Sequence, residues 1–163
     1  MTLPEIRGKY KIDYNIAHLT WFKVGGNAKV LFKPEDTEDL IYFLKEKDAN
    51  LEVMVLGAGS NIIIRDGGFA GAVVKLGRSF TEIEETSDGN LAVGAGCLNY
   101  NLAKFAVANS IAGFEFLVGI PGTIGGGVAM NAGAYGSEFK DLVLSVEAVD
   151  KSGNRRNFSC EEM

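Results

Sequence analysis

The chain has 163 residues, 47% hydrophobic and 23% charged, which is enough apolar material for a packed core and too much for a disordered segment. A net charge of -5 excludes a general nucleic-acid or anionic-membrane surface, which needs excess Lys and Arg, but leaves room for a local pocket taking one phosphate. Glycine is in excess, 21 residues where ~7% of a chain is usual, and it is clustered rather than periodic, so collagen is excluded.

Residues 1 to about 20 are mixed and read as an arm or a short helix. The N-terminus MTLPEIRGKY lacks the apolar core of a signal peptide. "AKVLFK" (28–33) alternates and predicts a strand. "PEDTEDLIYFLKEKD" places Leu40, Ile41, Phe43 and Leu44 at helical spacing, with Asp36 or Thr37 as N-cap. "LEVMVLG" (51–57) predicts a short buried strand, and another follows at 72–76 after an Asp-Gly-Gly turn. Strand, helix and strand in the first 60 residues predict one βαβ unit with a parallel pair.

The texture changes near residue 78. "FTEIEET", "NLAVGAG" and "LVLSVEAVD" predict strands, with "SDGN" and "KSGN" as hairpin turns. "LNYNLAKFAVANS" predicts a helix, with Asn99 as its N-cap. The expected fold class is α+β in two lobes, 1–78 and 79–163. The first carries a small parallel βαβ sheet; the second carries a mainly antiparallel sheet flanked by helices. The two cysteines, Cys97 and Cys160, form no CxxC pair, and His18 is the single histidine. A zinc site is therefore not expected, and both thiols read as reduced and intracellular. No apolar run approaches the roughly 20 residues that span a bilayer.

Two glycine-rich segments carry the chemistry. In "VLGAGSNIII", Gly57 and Gly59 follow a strand directly. The dinucleotide fingerprint GxGxxG fails here, because its third glycine falls at Ile62 and a β-branched run, not a helix, follows. The main-chain N–H groups from Gly57 through Ala58 and Gly59 can still form an anion nest, to which Ser60 and Asn61 add side-chain donors. The second segment is "GIPGTIGGGVAMNAGAYG" (119–136). It is not a Walker A loop, since Val128 and Ala129 stand where Lys and Ser/Thr are required. Gly125, Gly126 and Gly127 strip side chains from three successive positions, so a pyrophosphate or flat ring can lie against the main chain, with Thr123 and Asn131 as nearby polar groups. Tight turns or close backbone crossings explain glycine in either segment without a ligand. Two phosphate-compatible segments on different lobes point to one long ligand of dinucleotide size.

"HLTWFKVGGNAKVLFKP", "LGAGSNIIIRDGGFAGAVVKL" and "FEFLVGIPGTIGGGVAMNAGAYGSE", in this order, resemble the FAD-binding part of the UDP-N-acetylenolpyruvoylglucosamine reductase family, within the PCMH-type flavoproteins. The resemblance runs from about residue 15 to 160. It implies a two-lobed PCMH-type domain with FAD between the subdomains. It implies that Gly57, Ala58, Gly59, Ser60, Asn61 and Ile62 hold the pyrophosphate. Gly119, Thr123, Gly125, Gly126 and Gly127 would line the diphosphate and isoalloxazine, with Asn131 and Ala132 near the ring. His18 lies outside both segments, so the FAD is expected to be non-covalent.

The family reduces UDP-N-acetylglucosamine enolpyruvate to UDP-N-acetylmuramate with NADPH, a cytoplasmic step of bacterial peptidoglycan synthesis. Its catalytic arginine, serine and glutamate sit in motifs beyond the position matching Met163, and Arg155, Arg156, Ser60 and Ser137 do not match them. The expectation is a cofactor-binding portion without its substrate-binding domain, binding FAD without efficient turnover and open to self-association through the face left uncovered. The competing readings are a lobe of another PCMH-type flavin oxidase and a non-catalytic nucleotide-binding or interaction module.

Overall fold

A computed structural model describes residues 2–163. The chain divides into two units: residues 2–77 with 147–157, and residues 78–146 with 158–163.

The first unit is built on a four-stranded sheet. Its strands are β1 (Lys9–Asn15), β2 (Asn27–Lys33), β3 (Val53–Val55) and β4 (Phe69–Val74), in the order β1-β2-β4-β3. β1 runs antiparallel to β2, while β2 and β3 both run parallel to β4. Helix α1 (Thr37–Glu46) crosses from β2 to β3 and makes the parallel arrangement possible. It begins where the sequence reading placed it: Asp36 accepts a hydrogen bond from the Asp39 N–H at 2.9 Å. Asp39 is buried and gathers the N–H groups of Arg7, Gly8 and Glu35 at 2.8, 2.9 and 3.0 Å, fastening the N-terminal segment to the helix start.

Strand periodicity divides the core between the two sheet faces. Val30, Phe32, Ala72 and Val74 point towards α1 and pack with Phe43, Leu44 and Leu51. Phe32 and Phe43 have ring centroids 4.4 Å apart. Val73 and Leu31 point the other way, onto Ile16, Leu56 and Ile64. Ala28 joins Leu31 on this face despite its odd spacing, because the ladder shifts register between Ala28 and Val30. The stretch 1–20, expected as an arm or a short helix, holds strand β1 and, at Ala17–Leu19, one 3-10 turn. The β1 sequence KYKIDYN alternates mostly exposed side chains, so no apolar period announces it; pairing with β2 makes it a strand.

The second unit holds hairpin β5 (Ile83–Glu85) and β6 (Leu91–Val93), helices α2 (Asn99–Ala108) and α3 (Ile124–Ala129), and the short hairpin β7 (Gly133–Ala134) and β8 (Ser137–Glu138). Its core gathers Cys97, Leu102, Ala103, Phe116, Leu117, Ile120, Ile124 and Phe139. α2 is capped differently from expectation. Leu98 occupies the N-cap without a side-chain bond, and Asn99, buried one residue inside, donates from Nδ2 to the Ile120 carbonyl at 3.0 Å. A last hairpin, β9 (Ser145–Val149) and β10 (Arg155–Ser159), turns at the predicted KSGN, with Gly153 at φ +79°. Arg155 of this hairpin bonds Glu38 at the start of α1 and Glu147 on β9.

Candidate functional site

The glycine loop of the first unit is held at both ends by the core. Leu56 and Ile64 are buried on the sheet face opposite α1, and residues 57–62 span the gap between them. No helix follows Ile62, so the exclusion of the dinucleotide fingerprint stands.

Two carbonyls orient the loop. Trp21 N–H donates to the Gly59 carbonyl at 2.9 Å, and Lys75 Nζ donates to the Gly57 carbonyl. In a planar trans peptide the C=O of one residue and the N–H of the next point in opposite directions. Anchoring Gly57 and Gly59 through their oxygens therefore turns the N–H groups of Ala58 and Ser60 away from Lys75 and Trp21. The main-chain N–H groups of Gly57, Ala58, Gly59 and Asn61 make no main-chain hydrogen bond among the described residues. A succession of N–H donors without internal acceptors is an anion nest. Gly59 sits at φ +70°, and a Cβ there would overlap the Leu19 carbonyl and the Thr20 Cα, so glycine is required by conformation and by space.

The glycine segment of the second unit takes a form its composition conceals. Expected as a glycine-rich loop of bare backbone, it is helical over Ile124–Ala129. Thr123 caps it, its Oγ1 accepting from the Gly126 N–H at 3.4 Å. Antiparallel pairing aligns the helix start: the N–H groups of Ile124 and Gly125 donate to the Cys97 and Ala95 carbonyls at 2.8 and 2.9 Å. Two glycines of the triplet face protein. A Cβ on Gly125 would meet Ala95 Cβ at 2.9 Å, and one on Gly127 would run into the Phe139 ring. Gly126 is different, since the nearest atom to a Cβ there is Thr123 Oγ1 at 3.4 Å. Gly119 lies under the Tyr135 ring.

Asn131, in the left-handed region at φ +40°, is used locally. Its Nδ2 donates to Glu138 Oε2 at 2.7 Å and its Oδ1 accepts the Lys140 N–H at 3.0 Å. Lys140 and this amide together lower the pKa of Glu138. Ala132 N–H closes on the Gly127 carbonyl at 2.9 Å. Tyr135 and Gly136, both at positive φ, form the two-residue turn between β7 and β8. His18 belongs to neither segment; its Nε2 lies 3.0 Å from the Tyr14 hydroxyl.

Lys75 is the residue that sequence reading missed. It lies 18 positions from the carbonyl it holds, at the end of the quoted family stretch 56–76, where no role was read for it. Its position directly after β4, whose last pairing is Val55 with Val74, places it beside the loop. Burial and then the charge of Lys33 lower its pKa. No helix among the described residues is long and apolar enough to cross a membrane.

The chain is 63% identical over all 163 residues to the UDP-N-acetylenolpyruvoylglucosamine reductase of Rickettsia canadensis and 61% identical to that of Rickettsia bellii, covering 55% and 54% of those proteins. It thus spans about half the length of the curated relatives it matches. Its fold is similar to the crystal structure of UDP-N-acetylenolpyruvylglucosamine reductase from Thermus caldophilus, with TM-score 0.79 and 31% identity over 97% of this chain and 54% of that one. It also shares its fold with 6-hydroxy-D-nicotine oxidase from Arthrobacter nicotinovorans, with TM-score 0.66 and 18% identity over 99% of this chain and 38% of that one. These likenesses support the expected α+β PCMH-type architecture. The FAD binding domain model matches residues 28–159, most of the chain and both glycine segments, and the chain belongs to that family.

Proposed function

We propose that this chain is the FAD-holding portion of an NADPH-dependent reductase acting on UDP-N-acetylglucosamine enolpyruvate in the bacterial cytoplasm. The observation that carries the reading is the loop at 57–62, whose carbonyls at Gly57 and Gly59 are anchored while the successive N–H groups of Gly57, Ala58 and Gly59 make no main-chain bond among the described residues. This donor set suits a diphosphate: it is neutral main chain, close-approaching because of glycine, and free of carboxylates within the loop. Ala58 and Ser60 N–H, with Asn61, would hold the diphosphate. Within the second unit, Thr123, Gly126, Gly119, Asn131 and Ala132 are the candidate FAD contacts, with Gly125 and Gly127 keeping α3 close to Ala95 and Phe139.

Bound FAD would supply hydride transfer, and the residues of this chain would bind and orient it. His18 is engaged with Tyr14, which favours a non-covalent cofactor. In this reading the role of the chain's own residues is to bind FAD, and turnover by the 163 residues alone is a matter for the assay. NADPH and the UDP-sugar are substrates of the whole enzyme in this reading, which leaves self-association of the isolated portion open to measurement.

The test is the visible absorption spectrum of the purified protein with and without added FAD. A flavin spectrum that shifts on binding, and is lost on acid precipitation of the protein, is expected. A protein that leaves the spectrum of added FAD unchanged overturns the reading. Flavin that stays with the precipitate, together with oxygen uptake on alcohols or sugars, would favour a different flavin oxidase.

A further inference from the structure

We propose that Lys75 is a positioning residue for the diphosphate loop: by holding the Gly57 carbonyl it sets the direction of the Ala58 N–H and places a fixed positive charge behind the donors. The inference deepens the FAD reading and rests on it. Three observations carry it. First, Lys75 Nζ bonds the Gly57 carbonyl, a main-chain oxygen, across 18 residues of chain. Its partner is the oxygen of the same peptide whose N–H, on Ala58, is a candidate donor. Second, the lysine is braced. Its own N–H donates to the Phe32 carbonyl at 2.9 Å, and the neighbouring Leu56 N–H donates to Val74 at 2.9 Å, so both ends of the bridge stand on the sheet. Third, Lys75 is half-buried and forms no ion pair among the described residues, and its charge is disfavoured by burial and by Lys33. A half-buried cation held by a neutral carbonyl is partly desolvated in the free protein and gains from an anion placed on the far side of the loop.

An anion in that position would interact with the ammonium across the single Gly57–Ala58 peptide, so its affinity should report on both the geometry and the charge. Lys75→Arg keeps a cation able to donate to the carbonyl. Lys75→Gln keeps a donor without the charge. Lys75→Met removes both and leaves the Gly57 carbonyl unpaired.

The experiment measures FAD dissociation constants by flavin fluorescence for the full 163-residue chain and these three variants, with urea unfolding of each apoprotein. Losing a charged hydrogen bond behind the donors should weaken FAD binding by about 10-fold or more in Lys75→Met. Lys75→Arg should return to within about 3-fold of wild type, and Lys75→Gln should fall between. A merely structural lysine would change unfolding without this ordering of affinities. Should Lys75→Met fail to fold, the Arg and Gln pair decides: weaker FAD binding by Gln than by Arg supports the proposal, and equal binding overturns it. Wild-type affinity in Lys75→Met, with wild-type chain binding FAD, overturns the role of Lys75 and leaves the FAD reading standing. A wild-type chain that binds no FAD overturns both.

Discussion

Replacing Gly59 with alanine tests the architecture of the loop at its tightest point. Gly59 has φ +70°, where a Cβ costs ~1–2 kcal/mol against the following carbonyl. The added methyl would also overlap the Leu19 carbonyl and Thr20 Cα, main-chain atoms that cannot swing aside as a flexible side chain would. Overpacking of this kind costs ~1–3 kcal/mol. Alanine restricts the unfolded chain and returns ~0.4–1 kcal/mol, so the expected net loss is ~2–4 kcal/mol. Gly67, in the same unit, is the internal control. A Cβ there meets nothing within 4 Å and the backbone is not left-handed, so Gly67→Ala should leave stability unchanged or raise it by up to ~1 kcal/mol. Urea unfolding followed by far-UV circular dichroism reads both. Displacing Gly59 also breaks the Trp21 bond to its carbonyl, so FAD affinity should fall with stability. Equal stability of Gly59→Ala and Gly67→Ala would refute the claim that this backbone is held against the 19–21 segment.

The α3 glycines should separate by role: Gly127→Ala strikes the Phe139 ring and should cost ~1–3 kcal/mol in urea unfolding, whereas Gly126→Ala should hold stability or gain up to ~1 kcal/mol from helix propensity while weakening FAD binding. Thr123→Ala removes the α3 cap and should cost ~1 kcal/mol, with Thr123→Ser close to wild type in the same assay. Asp39→Asn weakens a carboxylate that gathers three main-chain donors and should cost ~2–3 kcal/mol and loosen the N-terminal segment, read by amide hydrogen exchange at Arg7 and Gly8. Tyr10 is pushed up to about 12 by burial, so the folded chain keeps its phenol proton longer than the unfolded chain; its stabilising contribution is intact below pH 10 and is lost as pH rises from 10 towards 12. Tyr10→Phe should show a shallower fall in stability over that window, and an identical slope would contradict the assignment.

Local signals made much of the first unit legible. Asp36 and the Leu40–Leu44 spacing predicted α1 because caps and amphipathic faces are encoded within a few residues. The SDGN and KSGN turns were legible for the same reason, with Gly89 and Gly153 at positive φ. β1 was not, because an exposed strand is specified by its partner rather than by its own period. α3 was hidden by three glycines, the poorest helix formers after proline; it forms because Thr123 caps it and Cys97 and Ala95 fix its first turn. In the candidate site, the Gly57 and Gly59 pair after a strand drew attention to the loop, and its use as an anion nest is a proposal. The groups that aim the loop, Lys75 and the Trp21 N–H, are remote in sequence; both fall within the quoted family stretches, but nothing in their residue type or spacing marks them as partners of the loop. Composition likewise could not tell Gly126, with room beside it, from Gly125 and Gly127, whose missing Cβ atoms are demanded by Ala95 and Phe139.

The central claim is that the 57–62 loop binds a diphosphate. The most direct measurement compares the dissociation constants of FAD and riboflavin, which shares the flavin ring but lacks phosphate, on the 163-residue chain by isothermal titration calorimetry. Two or three charge-assisted bonds to the diphosphate predict FAD tighter than riboflavin by about 100-fold or more. Equal affinities, or binding of neither, would contradict the account.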